Sequence, residues 1–405
     1  MFLLIFLAGH VFGRGPWVKI DSTDQNIMKK TLTAVAVLGA LSGAAMATEV
    51  TLYGVVDTGF TYQHTEGGDD SFAMTSGSYA GPRFGFKGTE DLGDNLTLGF
   101  VLEAGFNSDT GAQGEDGKIF NRESQIYLSG DWGTLGFGRV GGFSSGMSSL
   151  SWYWDFEPFE TGYVDAGIQA SQVNVWNVHS NTIYYVSPTF AGAKLGVQYS
   201  LTNEADDEDV RWVNNSKWLN VALRWDGSNV KVIGAFEAEF YGDSSEYYGT
   251  GYDTKNWEDA FSYKLAATWT PGGGATTLYA GLNYFTNNRR MSDANWNEYD
   301  FDSDLLKTSS DAYDAISGFL GVRYTVGSAN WLAQVQYQDG EFEGAPSGQD
   351  GDFKRYAVGL GCHYYFSNRT MGYAVVSWAK GEGWLNKDEN TTNRTAASIG
   401  LTHSF

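Results

Sequence analysis

The sequence predicts an all-β protein that forms a 16-stranded antiparallel transmembrane β-barrel, and three observations support this. Apolar and polar residues alternate along most of the chain, as they do in a strand whose successive side chains point to opposite faces. The alternating segments are about nine to eleven residues long, which a tilted strand needs to cross the hydrocarbon layer. No segment after residue 47 approaches the roughly 20 apolar residues of a membrane helix.

Composition excludes several classes of protein. Of the 405 residues, 42% are hydrophobic, which is too many for a disordered chain. The single cysteine, Cys362, rules out an intrachain disulfide and a cysteine-built zinc site. The formal net charge of −22 argues against nucleic acid as a partner, because each phosphate contact needs a cation. No pattern in the sequence calls for a cofactor or a metal.

Residues 28–47 have the pattern of a secretory signal peptide. A Met-Lys-Lys start is followed by an apolar stretch at 31–45 and an Ala-Met-Ala exit at 45–47. The mature chain is therefore expected to begin at Thr48. Cleavage removes four cations and two acids, so the net charge of −22 becomes −24. Residues 1–27 are interpreted as an upstream extension from a misplaced start site, and the alternative is an unusually long start of the signal peptide.

Sixteen alternating segments are expected to form the barrel wall. In residues 331–338, for example, Trp331 and Val335 share one face, and Gln334 and Gln336 take the other. The segments begin near Val50, Pro82, Asn95, Arg122, Gly133, Asn181, Ala193, Lys217, Asn229, Asp259, Ala275, Asp314, Asn330, Asp352, Thr370 and Arg394. Short turns alternate with long polar stretches at 203–216, 241–257, 287–311, 340–351 and 381–393. An even number of strands lets both chain ends meet on the short-turn side.

This arrangement places the protein in the cell outer membrane. Aromatic residues end several segments, as at Trp225 and Phe366, and such residues suit the interfaces between acyl chains and water. The alternative is a secreted soluble β-sandwich or lectin, in which the apolar faces of the strands would form a protein core.

Four stretches of the sequence are distinctive, and they are residues 50–57, the RFGFKGTEDLG motif at 83–93, residues 136–139 and the chain end at 400–405. These stretches resemble the Gram-negative general porins, especially the betaproteobacterial branch. The resemblance covers essentially all of residues 48–405. It implies a homotrimeric channel, embedded in outer-membrane lipid and lipopolysaccharide, for the passive diffusion of small hydrophilic solutes and ions. The terminal Phe405 resembles the signal for the outer-membrane assembly machinery.

The third long loop, residues 141–180, is the candidate constriction of this channel. At about 40 residues it exceeds what a compact connection needs, and the family resemblance implies that it folds inward to narrow the pore. Its aromatic residues predict a packed loop. Its acids are expected to face the passage, and they are Asp155, Glu157, Glu160 and Asp165.

The opposite wall is expected to carry the cations. Arg83, Gly85 and Lys87 share one face of the second strand, and an arginine that faces lipid costs about 2–4 kcal/mol at the membrane midplane. Arg83 and Lys87 must therefore face the lumen. By the resemblance, Arg122 is a further wall arginine, and Arg139 is expected to join it. The alternative for Arg83 and Arg122 is an ion pair within the wall that has no role in transport.

Cations and acids that face each other across a narrow wet opening create a transverse field, which disfavours apolar solutes. Because the mature net charge is −24 and loops such as residues 204–209 are rich in acids, the channel is expected to prefer cations.

Glu123 and Gln125 are candidates for a contact between subunits. If Arg122 faces the lumen, strict alternation predicts that the side chains of Glu123 and Gln125 point outward, where they could pair across a trimer contact. The alternative is an error in the assumed register.

Three other functions are open at the level of sequence. A solute-selective channel would guide sugars or other nutrients along the aromatic residues of the loop, Trp152, Tyr153, Trp154 and Trp176. A barrel lipid hydrolase would use Ser144, although its G-x-S-x-G pattern lacks the helix and histidine that a nucleophile elbow needs. An adhesin would use the long acidic loops, with divalent cations bridging to lipopolysaccharide. The porin interpretation itself predicts no enzymatic activity.

Overall fold

The computed structural model describes residues 49–160, 163, 165–175, 177–201, 216–242, 257–289, 312–343, 351–386 and 393–405. Its wall is a closed antiparallel sheet in which β17 returns to pair with β1. The strands are β1 (Glu49–Thr65), β2 (Ser71–Ser76), β3 (Arg83–Gly93), β4 (Leu96–Gly105), β5 (Glu123–Gly130), β6 (Gly133–Gly141), β7 (Val178–Val186), β8 (Ala193–Ser200), β9 (Lys217–Asp226), β10 (Val230–Phe240), β11 (Ala260–Trp269), β12 (Thr276–Asn288), β13 (Tyr313–Val326), β14 (Ala329–Phe342), β15 (Gly351–Ser367), β16 (Thr370–Gly383) and β17 (Arg394–Ser404).

The second segment of the wall is split into β2 and β3, so these seventeen strands make a barrel of sixteen segments. β3 pairs with the first part of β1 and β2 with the later part. The interruption lies between Gly77, whose φ is +72°, and Pro82. A positive φ favours glycine, and proline cannot donate to the ladder, so regular pairing stops here. β2 was not predicted because its alternation covers only six residues.

The predicted fold class is confirmed. Each of the sixteen predicted segments starts within three residues of the first residue of an observed strand. The predicted length of nine to eleven residues is too short for several strands, since β1 and β15 have 17 residues each. The extra residues of β15 lie at its start, where the outward-facing Asp352 and Lys354 are exposed. Strand pairing continues there because its hydrogen bonds join backbone groups and do not require apolar side chains. The apolar pattern, by contrast, extends only as far as the hydrocarbon layer.

The outer surface of the wall is apolar and the inner surface is polar. On β14, Trp331 and Val335 are exposed, whereas Gln334 and Gln336 on the other face are buried. Charged side chains are also buried on the inside, and they include Asp57, Glu103, Glu237, Lys264, Arg355 and Arg394. A soluble β-sandwich would bury its apolar stripes instead, so that alternative is wrong. An apolar exterior around a polar interior fits a barrel whose outer solvent is lipid.

The short connections lie on one side of the barrel, as the sequence predicts, and the chain ends meet there. The β15–β16 connection contains only residues 368–369. The Gly54 N–H donates to the Phe405 carbonyl at 3.2 Å, and the Phe405 N–H donates to the Gly54 carbonyl at 3.0 Å. These two hydrogen bonds extend the pairing of β1 with β17 and so close the barrel. Within the described part of the chain, no helix has the length and apolar character to span a membrane.

Candidate functional site

The connection between β6 and β7, residues 142–177, is called the constriction loop, and its described residues lie inside the barrel. Its start is held by the β8 and β9 walls, where the Phe143 N–H donates to the amide oxygens of Gln198 at 3.2 Å and Asn220 at 3.1 Å. Its later part reaches β12, where the Val173 N–H donates to Asn283 Oδ1 at 3.3 Å. The loop therefore crosses the lumen instead of extending outward.

Aromatic side chains hold the middle of the loop against the wall. A short 3-10 helix, Tyr153–Phe156, buries Tyr153 and Phe156 in a cluster with wall residues such as Ile233 and Phe319. Trp152 is buried in the same cluster, so it offers no open aromatic surface for a sugar. Trp154 is partly exposed, and Trp176 lies outside the described residues. An aromatic track for nutrients is therefore not favoured.

The four predicted loop acids are brought inside the barrel but do not share one environment. Asp155 is about half exposed, and it accepts a bond of 2.5 Å from Arg224 Nη2. Lys231 Nζ lies 3.8 Å from the same carboxylate. Glu157 is fully buried and accepts a bond from the Phe159 N–H at 3.0 Å.

The other two acids contact arginines on the wall between β13 and β17. Glu160 accepts a bond of 2.7 Å from Arg323 Nη2 and a short bond from the Tyr79 hydroxyl. Asp165 is fully buried between Arg355 and Arg394, which are described further below. These arginines were not predicted. The available signal was their inward register, since Arg355 alternates with the outward stripe of β15.

Arg83 of β3 and Arg122, which precedes β5, share one carboxylate. Arg122 Nε donates to Glu103 Oε1 at 2.6 Å, and Arg83 Nε lies 3.5 Å from Glu103 Oε2. Arg122 is buried within this cluster, whereas Arg83 keeps about a quarter of its side chain exposed. Lys87 follows on the same face, with Nζ 5.2 Å from the centre of the Tyr53 ring. The wall ion pair that the sequence left as an alternative therefore describes Arg122 better than it describes Arg83.

Arg139 contacts a different set of groups from the other predicted cations. Its Nε donates to the Asn121 carbonyl at 2.6 Å, its Nη1 donates to Ser180 Oγ at 2.9 Å, and Nη2 lies 3.4 Å from Glu115 Oε2. A β-bulge after Gly138 shifts the alternation at this point. Arg139 therefore binds the connection between β4 and β5, beside Arg122, and its part in the basic wall stays a prediction.

Glu123 and Gln125 point inward, so the prediction that they face a trimer contact is wrong. Glu123 pairs in register with the inward-facing Glu103, and both Glu123 and Gln125 are buried. Glu123 accepts bonds from the N–H of Ser149 at 2.7 Å and the hydroxyl of Ser148 at 2.9 Å. The error arose because Arg122 precedes the paired ladder of β5, so the alternation begins one residue later.

Asp57 is a site residue that sequence reasoning missed. This buried acid of β1 accepts bonds from the Ala80 N–H at 3.3 Å and the Tyr373 hydroxyl at 3.0 Å. It thereby holds the segment between β2 and β3 against the inner wall. The Ser78 carbonyl of that segment accepts a bond from the Tyr163 N–H of the loop at 2.8 Å. The available signal was an isolated acid on the inward face of the first strand.

A cavity of about 430 Å³ lies between the loop, the β1–β3 wall and the short β15–β16 turn. Among the described residues, the charged ones that line it are Arg83, Arg369 and Asp155. Hydroxyl groups from Ser148 and Ser151 add polar surface. This is the place where a loop acid and a wall cation share one opening.

Ser144 anchors the loop. It is buried, and its hydroxyl donates to Glu237 Oε1 at 2.6 Å. Lys264 Nζ donates to Glu237 Oε2 at 3.0 Å, and both charged side chains are almost completely buried. Ser144 thus has a carboxylate partner within a structural ion pair. This arrangement gives no support to a hydrolase.

A closed membrane barrel whose interior is narrowed by a charged loop defines an outer-membrane channel. The Gram-negative porin family profile matches residues 34–383, and the chain belongs to this family. An outer membrane porin of Bordetella pertussis is 32% identical over 425 aligned residues, which cover 93% of this chain and 100% of that protein. The major outer membrane protein P.IB of Neisseria lactamica is 29% identical, and the alignment covers 93% of this chain and 100% of that protein.

Solved structures show the same fold. The anion-selective porin from Comamonas acidovorans superimposes with a TM-score of 0.63 at 20% identity, covering 89% of this chain and 100% of that one. The family match and the Bordetella pertussis relative, together with this fold, make the chain an outer-membrane porin. Its relatives are channels, and no catalytic function is shown for this protein.

Proposed function

We propose that this porin is a general diffusion channel through which small hydrophilic solutes and ions move down their gradients. The observation that carries the proposal is the charged cavity between the constriction loop and the β1–β3 wall. Its arginines, carboxylate and hydroxyls would retain water and polar solutes, while an apolar solute would lose hydration without compensation.

The sequence predicts cation preference from the net charge of −24, but the cavity has a different charge balance. Of the residues that the structure describes, two cations, Arg83 and Arg369, and one acid, Asp155, line it. Asp155 is itself paired with Arg224 and lies near Lys231, and Arg83 lies 3.5 Å from Glu103, so the second arginine, Arg369, gives the cavity its excess positive charge. Because ion preference depends on the charges closest to the narrow passage, we propose that anions are favoured there. The similar porin from Comamonas acidovorans is described as anion-selective, which agrees with this sign.

Planar-bilayer recording of the purified protein tests the channel itself. We expect stepwise conductance that rises with salt concentration, in groups of three steps if the usual trimer of the family is present. Absence of conductance from folded protein would overturn the proposal. Saturable block by one sugar or nutrient would favour a solute-selective channel instead.

The zero-current potential in a KCl gradient tests the sign of ion preference. The matched variants are Arg83→Gln, which removes a cation from the cavity, and Asp155→Asn, which removes the acid. We expect chloride preference in the parent, a shift toward potassium in Arg83→Gln, and a shift toward chloride in Asp155→Asn. A potassium-preferring parent would restore the prediction made from the net charge.

We propose in addition that export removes residues 28–47, and that the mature barrel assembles as a trimer surrounded by lipid and lipopolysaccharide. The assembly machinery would recognise the C-terminal strand that ends in Phe405. Residues 1–47 lie outside the described residues, so the mass of an uncleaved precursor decides whether residues 1–27 are translated.

A further inference from the structure

The Asp165 carboxylate of the constriction loop is enclosed by two arginines from different strands. Arg355 Nη2 of β15 donates to Oδ1 at 2.7 Å, and Arg394 of β17 donates through Nε to Oδ2 at 2.6 Å and through Nη2 to Oδ1 at 2.9 Å. The side chains are 0–2% exposed. Such charge-assisted bonds are short and directional, so they fix the position of the carboxylate.

The backbone beside Asp165 is also held flat against the wall. Gln336 Nε2 on β14 donates to the carbonyls of Asp165 at 3.1 Å and Gly167 at 2.9 Å. On β15, Gly359 has no side chain, and a Cβ atom added there would lie only 2.6 Å from Ala166 Cβ. The glycine therefore leaves the space in which the loop backbone contacts the sheet.

This segment differs from the part of the loop that lines the cavity. Asp155 is about half exposed and borders the opening, whereas Asp165 has no exposed surface. A buried and neutralised carboxylate contributes little to the field felt by an ion in the passage. Its position, however, fixes the distance between the loop and the β14–β17 wall.

We propose that Asp165, Arg355 and Arg394 form a lock that sets the cross-section of the channel. Asp165 is a positioning residue and Asp155 is a selectivity residue, although the sequence grouped both as acids facing the passage. The inference rests on the proposed function, because a cross-section has meaning only if the barrel conducts. Loss of the Asp165 charge would remove the carboxylate that two buried guanidinium groups share and would release the loop.

The test compares single-channel recordings of the parent, Asp165→Asn and Asp155→Asn. For Asp165→Asn we expect current fluctuations in the open state to increase several-fold and subconductance levels to appear, with a smaller change in the zero-current potential than Asp155→Asn causes. For Asp155→Asn we expect the reverse pattern, a shifted zero-current potential with quiet open currents. A parent without conductance would contradict the proposed function. A conducting parent with a quiet Asp165→Asn channel would overturn the lock alone.

Gly359→Leu provides a second variant in case Asp165→Asn fails to fold. It changes no charge and places side-chain atoms where Ala166 contacts the sheet, so it should also give noisy currents. The triple variant Asp165→Asn with Arg355→Gln and Arg394→Gln removes the repulsion and should be quieter than Asp165→Asn. Folding is checked by the heat-sensitive electrophoretic mobility of the barrel. Quiet currents from folded Gly359→Leu would also count against the lock.

Discussion

Each acid in the constriction loop has the same chemistry, and its surroundings determine what it does. Asp155 borders the cavity, Glu160 binds Arg323 and Tyr79, and Asp165 lies between Arg355 and Arg394. Burial by itself would raise the pKa of Asp165, but the charges of Arg394 and Arg355 more than offset it and lower that pKa below its usual value. A carboxylate of this kind stabilises the folded loop through its ionised form.

The pH dependence of stability follows from this shift. Since the pKa of Asp165 is lower in the folded state, its contribution is fully present above the usual aspartate pKa of about 3.9 and is lost as the pH falls through the lowered value. We expect Asp165→Asn to reduce the free energy of unfolding by about 3–5 kcal/mol, the range for breaking a buried ion pair. This difference should be constant from pH 8 to pH 5.

Urea unfolding in detergent, followed by tryptophan fluorescence, measures the difference between the parent and Asp165→Asn at each pH. The difference should decrease only in solutions more acidic than pH 4 or so. A decrease that is complete between pH 7 and pH 5 would show that Asp165 is not held ionised by its arginines.

The strands show how one sequence pattern serves two environments. On β14, the outward residues Trp331 and Val335 suit acyl chains, while Gln334 and Gln336 on the inward face bind loop carbonyls. The alternation predicts that the two faces differ. It does not predict that the inward glutamines bind the loop, because their partners lie more than 160 residues away, as for Gln336 and Gly167, which are 169 positions apart.

A substitution in the middle of β13 tests which face meets lipid. Leu320 is 64% exposed on the outer surface, so Leu320→Arg places a charge in hydrocarbon at a cost of about 2–4 kcal/mol if the site is near the midplane. We expect a lower free energy of unfolding in lipid vesicles and less folded protein. Leu320→Met keeps the volume without a charge and should behave like the parent. Equal stability of the two variants would place this face in water.

At the scale of the whole molecule, the barrel closes through its chain end. The two backbone bonds between Gly54 and Phe405 lie beside the pairing of β1 with β17. The Phe405 ring covers Gly54 closely, since a Cβ atom added at Gly54 would lie 2.4 Å from it. Phe405 therefore has a structural contact in the finished barrel in addition to the assembly role that the family resemblance implies.

Deletion of Phe405 separates these two roles when refolding and export are compared. We expect the deletion to reduce the folded barrel in the outer membrane several-fold, while Phe405→Trp, which keeps an aromatic end, should assemble well. Refolding into detergent from urea needs no assembly machinery and should be affected less by the deletion. If the deletion lowers the yield of folded barrel equally in both assays, the role of Phe405 is closure of the barrel and not recognition by the assembly machinery.

The sequence by itself determined the outer-membrane barrel, the sixteen wall segments and the identity of the outward face. These properties follow from the two-residue repeat and from the side chains that lipid requires, both of which are local. Long-range contacts determined which cation each loop acid meets, bound Arg139 to the connection between β4 and β5, and turned Glu123 inward. Those outcomes depend on groups far apart in the chain, such as Asp165 and Arg394 at a separation of 229 residues, and on a register that a single unpaired residue shifts.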